Sequence, residues 1–279
     1  VNQYYKFVST TARLVTHKII LEHYMRRQYK MKKGQQDICF FFATITIYII
    51  YYSIEHYDSW EQVRKHRTIE KDGFVLLSYD NYTKTELDEV FKMDVLKYLP
   101  QGYRFADYSY GIKNATISTF HRDVTSSQKL YNSKHAVYTL VLYKHEGCLL
   151  SLCPGSNYSY PFVSSQIVNI SGPAGSCILF NCDLLHAGCF NHCRPREIVQ
   201  YKLFHEEDAL LFEHLHDVHV LKEEEHCDDS MYVHFIRKCS YFFELPINTV
   251  FYPLFQKKHN DGVLKDIQDY SSMQFYYNS

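Results

Sequence analysis

Ala115-Thr-Ile-Ser-Thr-Phe-His-Arg-Asp123 is the stretch on which the reading of this chain turns. Its β-branched and aromatic residues favour an extended strand. Side chains alternate across a strand, so His121 and Asp123 share one face with Thr119, while Arg122 faces away as a solvated or salt-bridged residue. Downstream lie His186, within Asp183-Leu-Leu-His-Ala-Gly188, and then Arg196. Two imidazoles and one carboxylate form a donor set that grips one face of a metal ion and leaves the opposite positions open. In a chain with 16 histidines a bare His-x-Asp pair means little; the ordered strands around it give it meaning.

Outward from that stretch, residues 136–143, 148–153, 166–170, 177–181 and 197–204 also read as short strands. Turn signals separate them: His145-Glu-Gly147, Pro154-Gly155-Ser156, Ser171-Gly-Pro-Ala-Gly175 and the segment from Asn191 to Pro195. Strands at this spacing, without long helices between them, predict a mainly β antiparallel sandwich or barrel. One helix is expected over 87–99, opened by a capping box at Thr83-Lys-Thr-Glu86 and ended by Pro100. No Gly-rich phosphate loop, nucleophile elbow or Rossmann fingerprint is present.

At these residues the chain resembles the Fe(II)/2-oxoglutarate-dependent dioxygenases, and within them the phytanoyl-CoA dioxygenase-like branch. The resembling segments are Lys71-Asp-Gly-Phe-Val75, Thr119-Phe-His-Arg-Asp123, Leu149-Leu-Ser-Leu-Cys-Pro-Gly-Ser-Asn157, Gly172-Pro-Ala-Gly-Ser-Cys-Ile-Leu-Phe180, Asp183-Leu-Leu-His-Ala-Gly188 and Arg194-Pro-Arg196. The resemblance implies a double-stranded β-helix (jelly-roll) core with flanking helices. It implies His121, Asp123 and His186 as iron ligands and Arg196 as the partner of the distal carboxylate of 2-oxoglutarate. Arginine suits that carboxylate because its planar fork bonds it bidentately. Arg194 competes for this role; Arg196 is favoured because it opens the apolar strand rather than lying in the turn. Thr119, on the ligands' face, is a further candidate for a polar contact to the co-substrate. Fe(II) and 2-oxoglutarate are thus the expected cofactor and co-substrate, with ascorbate as reductant. The activity implied is a hydroxylase that couples decarboxylation of 2-oxoglutarate to succinate and CO2 with oxidation of a lipid, glycan, protein side chain or small metabolite.

Two other readings compete. Cys182, His186, Cys189, His192 and Cys193 crowd one segment, and thiolates with imidazoles favour zinc, although no paired Cys-x-x-Cys knuckle is present. A zinc-stabilised interaction module would bring these cysteines to His186. A non-catalytic jelly-roll binding protein would keep a metal-shaped pocket without turnover.

A formal net charge of −1 argues against a chain-wide nucleic-acid footprint. Residues 38–54 form an uncharged, mostly apolar run, preceded by Arg26, Arg27, Lys30, Lys32 and Lys33 and followed by Glu55, Asp58 and Glu61. The positive-inside rule reads this as a type II transmembrane anchor with a lumenal catalytic region; the alternative is a buried core segment in a cytoplasmic protein. Sequons at Asn81, Asn114, Asn157 and Asn169 fit a secretory lumen, although Asn114 and Asn169 border expected core strands. The nine cysteines are compatible with lumenal disulfides or with reduced core thiols. The expected organisation is a basic tail over 1–37, the anchor at 38–54, a linker over 55–69, the oxygenase domain over 70–205, and a mixed, mostly helical extension over 206–279.

Overall fold

Eleven strands carry the fold in the computed structural model, which describes residues 33–52, 56–84, 86–114, 119–158, 166–189, 196–223 and 231–242. The chain divides into two units, residues 1–52 and 53–279. In the first unit lies helix α1 (Lys33–Tyr52). The second holds β1 (His56–Ser59), α2 (Trp60–His66), α3 (Ile69–Asp72), β2 (Phe74–Ser78), α4 (Glu89–Leu96), β3 (Tyr103–Phe105), β4 (Tyr108–Lys113), α5 (Gln128–Tyr131), β5 (Tyr138–Tyr143), β6 (Gly147–Leu152), β7 (Val168–Gly172), β8 (Ser176–Asn181), β9 (His186–Gly188), β10 (Glu197–His205), β11 (Val218–Glu223) and α6 (Met231–Phe242). Short 3-10 turns cover Val124–Ser126 and Glu206–Leu215.

Two sheets face each other. The larger runs β11-β4-β10-β5-β8-β2, with β3 also on the edge of β10, and the smaller runs β1-β7-β6-β9. Successive strands pass between them: β5 in the larger sheet, β6 and β7 in the smaller, then β8, β9 and β10 in alternation. This is a jelly-roll sandwich, as the strand pattern predicts. Period-two alternation explains the layers. Val141, Tyr143, Ile178, Phe180 and Ile198 point inward to meet Leu150, Leu152, Val168 and Ile170 of the smaller sheet. Leu140, Leu142, Cys177, Leu179, Tyr201 and Leu203 point outward and are covered by Val95 and Leu99 of the α4 region. Covering both faces leaves every residue of β8 buried.

Three expectations need correction. Residues 56–66 are not a linker: β1 pairs in parallel with β7, and Trp60 and Val63 of α2 enter the inner core. After residue 205 the described residues hold a 3-10 segment, the strand β11 paired in parallel with β4, and the helix α6. The helix expected over 87–99 starts at Glu89 with Asp88 as its N-cap residue, so the Thr83–Glu86 pattern lies before the helix rather than opening it. The run expected to cross a membrane is helical as far as Tyr52, but no helix among the described residues is long and apolar enough to do so. Its first turn is Lys33-Gly-Gln-Gln-Asp37, which leaves a run shorter than the ~20 apolar residues that span a bilayer core.

Among the described residues, Cys148, Cys177, Cys182, Cys189 and Cys239 are thiols rather than disulfides. Asn157 and Asn169 are buried, so the folded chain does not present those two sequons for glycosylation.

Candidate metal centre

His121 and His186 lie directly opposite each other on adjacent backbone segments. His121 N–H donates to His186 O at 2.9 Å, and His186 N–H returns a bond to His121 O at 3.0 Å. This reciprocal pair is an isolated antiparallel bridge beyond β9, so residues around 121 extend the smaller sheet without forming a full strand. Opposed residues in such a pair point to the same face. The two imidazole centroids accordingly lie 4.4 Å apart. Asp123, two residues on, is fixed by its N–H to Cys182 O at 2.9 Å and returns its carboxylate to that face. The donor atoms of His121, Asp123 and His186 all fall within 4.8 Å of one another.

Each donor is oriented by a second bond. Nδ1 of His121 donates to the Thr119 carbonyl at 2.7 Å, and Nδ1 of His186 donates to the Leu184 carbonyl at 2.9 Å. A carbonyl only accepts, so both Nδ1 atoms carry hydrogen and both Nε2 lone pairs are turned to the shared point. Nε2 of His186 lies 3.5 Å and Nε2 of His121 3.9 Å from Oδ1 of Asp123. The other carboxylate oxygen is occupied: Oδ2 accepts from Lys202 Nζ at 2.6 Å and from Thr139 Oγ1 at 2.6 Å. Asp123 therefore offers a metal one oxygen, and the remaining coordination positions stay open.

Lys202 is buried at 2% exposure, an unusual place for an ammonium. Its three hydrogens are accounted for by Asp123 Oδ2, by Ser126 Oγ at 2.9 Å and by Thr139 Oγ1 at 2.8 Å. Burial alone would lower the Lys202 pKa, but Asp123 outweighs it and holds the lysine protonated above its usual range. Burial would likewise raise the Asp123 carboxyl, yet Lys202, then His186 and His121, pull it well below the usual carboxylate range. His186 is pushed down to about 3, mainly by burial and then by the neighbouring His121. The neutral imidazole that a metal needs is thus its resting form.

Arg196 precedes β10. A side chain at Gly188 would strike its guanidinium, with a Cβ 2.7 Å from one terminal nitrogen. The pairing of β9 with β6 places His186 opposite Leu152 and Gly188 opposite Leu150, so both face inward. Gly188 is two residues beyond His186, roughly 7 Å along one face. The guanidinium therefore lies against the inward face at Gly188, farther along the strand than His186. Arg196 Nε is buried without a hydrogen-bond partner, and the guanidinium lies beside the buried Tyr143 hydroxyl. Burial raises the Tyr143 pKa far above its usual value, with the nearby Arg196 acting the other way. A guanidinium with an unpaired buried N–H suits an anion.

Of the residues read from sequence, His121, Asp123 and His186 come together, with Arg196 beside Gly188 farther along the same face. Thr119 serves through its carbonyl, as the brace of His121. Arg122 is no simple surface residue: it clamps two loops, donating to the carbonyls of Asp183 at 2.8 Å and Ser156 at 3.3 Å. Arg194, His192 and Cys193 lie outside the described residues. Cys182 turns to Ser126, Thr139 and Lys202, and Cys189 to Ser151; among the described residues neither joins His186 in a metal-sized cluster. Burial pushes the Cys182 thiol up to about 11, the opposite of what a zinc thiolate requires. Lys202, Thr139, Tyr143 and His145 were missed. Alternation held a signal for Lys202, which shares the inward parity of Ile198 in an apolar strand.

No protein-family model and no curated protein matches this chain. Solved structures do. HygX from Streptomyces hygroscopicus, with nickel and 2-oxoglutarate bound, is 11% identical over 50% of this chain and 84% of its own, with a TM-score of 0.38. EvdMO1 is 13% identical over 50% of this chain and 49% of its own, with a TM-score of 0.37. SnoN, an epimerase of nogalamycin biosynthesis, is 11% identical over 52% of this chain and 82% of its own, with a TM-score of 0.32. The match thus spans about half the length of EvdMO1.

Proposed function

We propose that this chain is an Fe(II)- and 2-oxoglutarate-dependent oxygenase that oxidises an organic substrate, hydroxylation being the reaction its donor set suits. The observation that carries the proposal is a three-donor face with an arginine cradle two residues farther along the same inward surface. His121, His186 and Oδ1 of Asp123 would hold the iron. Arg196, with the Tyr143 hydroxyl, would hold the distal carboxylate of 2-oxoglutarate. When bound, iron and 2-oxoglutarate would supply, with dioxygen as the oxidant, decarboxylation to succinate and CO2 coupled to insertion of the second oxygen atom into the substrate. Lys202 and Thr139 keep Asp123 monodentate, and the Thr119 and Leu184 carbonyls keep both imidazoles in the ligating tautomer. The reading stops at the superfamily, since the geometry does not separate its branches.

The test is succinate release from 2-oxoglutarate under air, with Fe(II) and ascorbate. Wild type is expected to release succinate even without added substrate. His186→Ala is expected to fall to background, and Arg196→Ala to be rescued only at high 2-oxoglutarate. A folded wild-type protein that neither binds Fe(II) nor releases succinate would overturn the proposal in favour of a binding module.

Gly188 provides a finer test. Gly188→Ala places a methyl group against the guanidinium, so the KM for 2-oxoglutarate is expected to rise roughly 10- to 100-fold, or about 1.4–2.8 kcal/mol, with Fe(II) affinity unchanged. An unchanged KM would remove Arg196 from the co-substrate site.

A further inference from the structure

Strand β6 contains an irregularity that rearranges two cysteines. Along its pairing with β7, Cys148 lies opposite Ser171 and Leu150 opposite Ile170, so Leu149 is an extra residue. In a regular strand Cys148 and Leu150 would share a face. The bulge instead turns Cys148 to the outer surface of the smaller sheet while Leu149 and Leu150 stay in the inner core. Cys189, at the end of β9, comes to the same outer surface. Its N–H points to Leu149 O at 3.5 Å, and its sulfur lies 3.2 Å from Ser151 Oγ and 3.8 Å from Asn169 Oδ1. With its N–H toward Leu149 O, Cys189 stands beside the Cys148–Leu149 bulge on that surface.

Helix α6 lies over this surface. Its buried Arg237 donates to Ser151 Oγ at 2.6 Å, placing a guanidinium charge beside the two sulfurs. Burial opposes ionisation of Cys189, but the neighbouring Cys148 thiol and the charge of Arg237 outweigh it and lower its pKa. Cys177, buried without such neighbours, is driven the other way. Cys148 is only partly buried, which gives a small oxidant an approach.

We propose that Cys148 and Cys189 are a redox-active pair that hydrogen peroxide closes to an intrachain disulfide between β6 and the end of β9. One thiolate attacks a peroxide oxygen, breaking the O–O bond, releasing hydroxide and leaving a sulfenic acid. The second thiol displaces that oxygen as water and forms the S–S bond. Two thiols are oxidised and one peroxide is reduced to two waters once the first proton is counted. The β-bulge supplies the alignment, and Arg237 stabilises the thiolate.

The test treats the folded, chelator-treated full chain with hydrogen peroxide, blocks remaining thiols by alkylation and maps the peptides by mass. The expected product links the Cys148 and Cys189 peptides, is lighter than the two thiol peptides by two hydrogens, and reverts with dithiothreitol. Cys148→Ser and Cys189→Ser should each abolish it, and the surviving cysteine should trap a sulfenic-acid probe. Separate alkylation of both cysteines after peroxide, or linkage of either to another cysteine in the folded wild type, would overturn the pair. This readout needs neither iron nor 2-oxoglutarate, so it stands or falls apart from the oxygenase reading.

Discussion

Lys202→Met is expected to destabilise the metal-free protein by about 3–5 kcal/mol, the usual cost of stranding one member of a buried ion pair. The methionine fills much of the volume, so the loss would come from charge rather than from a cavity. Asp123 would lose its principal cation, and Ser126 and Thr139 would lose a common donor. Its carboxyl, now opposed chiefly by burial, would take up a proton more readily. A divalent cation on Oδ1 replaces the missing positive charge, so Fe(II), or Ni(II) as a redox-quiet substitute, should recover part of the stability. Urea unfolding of wild type and variant, with chelator and with metal, measures both effects. Equal midpoints in chelator would mean that Lys202 does not neutralise Asp123 in the folded protein.

The second large effect concerns acid. His186 has a folded pKa of about 3 against 6.5 for an unperturbed histidine, chiefly because it is buried. Below 6.5 the unfolded chain takes up a proton that the folded chain resists, so stability falls as the pH drops from about 6.5 towards 3 and levels off below. One such proton contributes a slope of about 1.4 kcal/mol per pH unit, about 5 kcal/mol across the interval. Asp123 works in the same direction but later, because its depressed pKa keeps it ionised to more acid conditions. Urea unfolding of chelator-treated protein at a series of pH values should give wild type a steeper acid limb than His186→Ala. Parallel limbs would show that His186 titrates alike in the folded and unfolded chain, and so that burial does not hold it neutral in acid.

Much of the sandwich was legible because its central strands are apolar on both faces. The segments expected at 136–143, 148–153 and 177–181 differ from β5, β6 and β8 by a residue or two at their ends. The edge strands were not legible. His56-Tyr-Asp-Ser59 and Val218-His-Val-Leu-Lys-Glu223 lack the apolar alternation of a buried strand, and each joins its sheet through parallel backbone pairing that side-chain patterns do not encode. The metal donors could be read as residue types at a spacing, but their convergence depends on the His121–His186 bridge, a contact across 65 residues. Of the strand expected over 115–123, residues 115–118 lie outside the described residues; at His121 the chain makes that single bridge, and a 3-10 turn follows at Val124–Ser126. Lys202 went unread for a different reason: a lysine in a strand is ordinarily an outward residue, and only the buried carboxylate from elsewhere in the chain turns it inward.

Helix α6 reaches back to the residue before His121. Ser240 Oγ accepts the Phe120 N–H at 2.8 Å, and the Arg237 guanidinium lies 4.7 Å above the Phe120 ring. In a chain made from its N-terminus, His121 and Asp123 leave the ribosome before His186, and all three leave before the helix that steadies them. Until then the donors are separate groups that any available ion can visit, and divalent ions such as copper and zinc outrank Fe(II) for nitrogen and oxygen sites on affinity alone. If the proposed iron site is real, its two earlier donors are held in place from the far end of the fold, so the order in which the chain is made bears on when the site is complete.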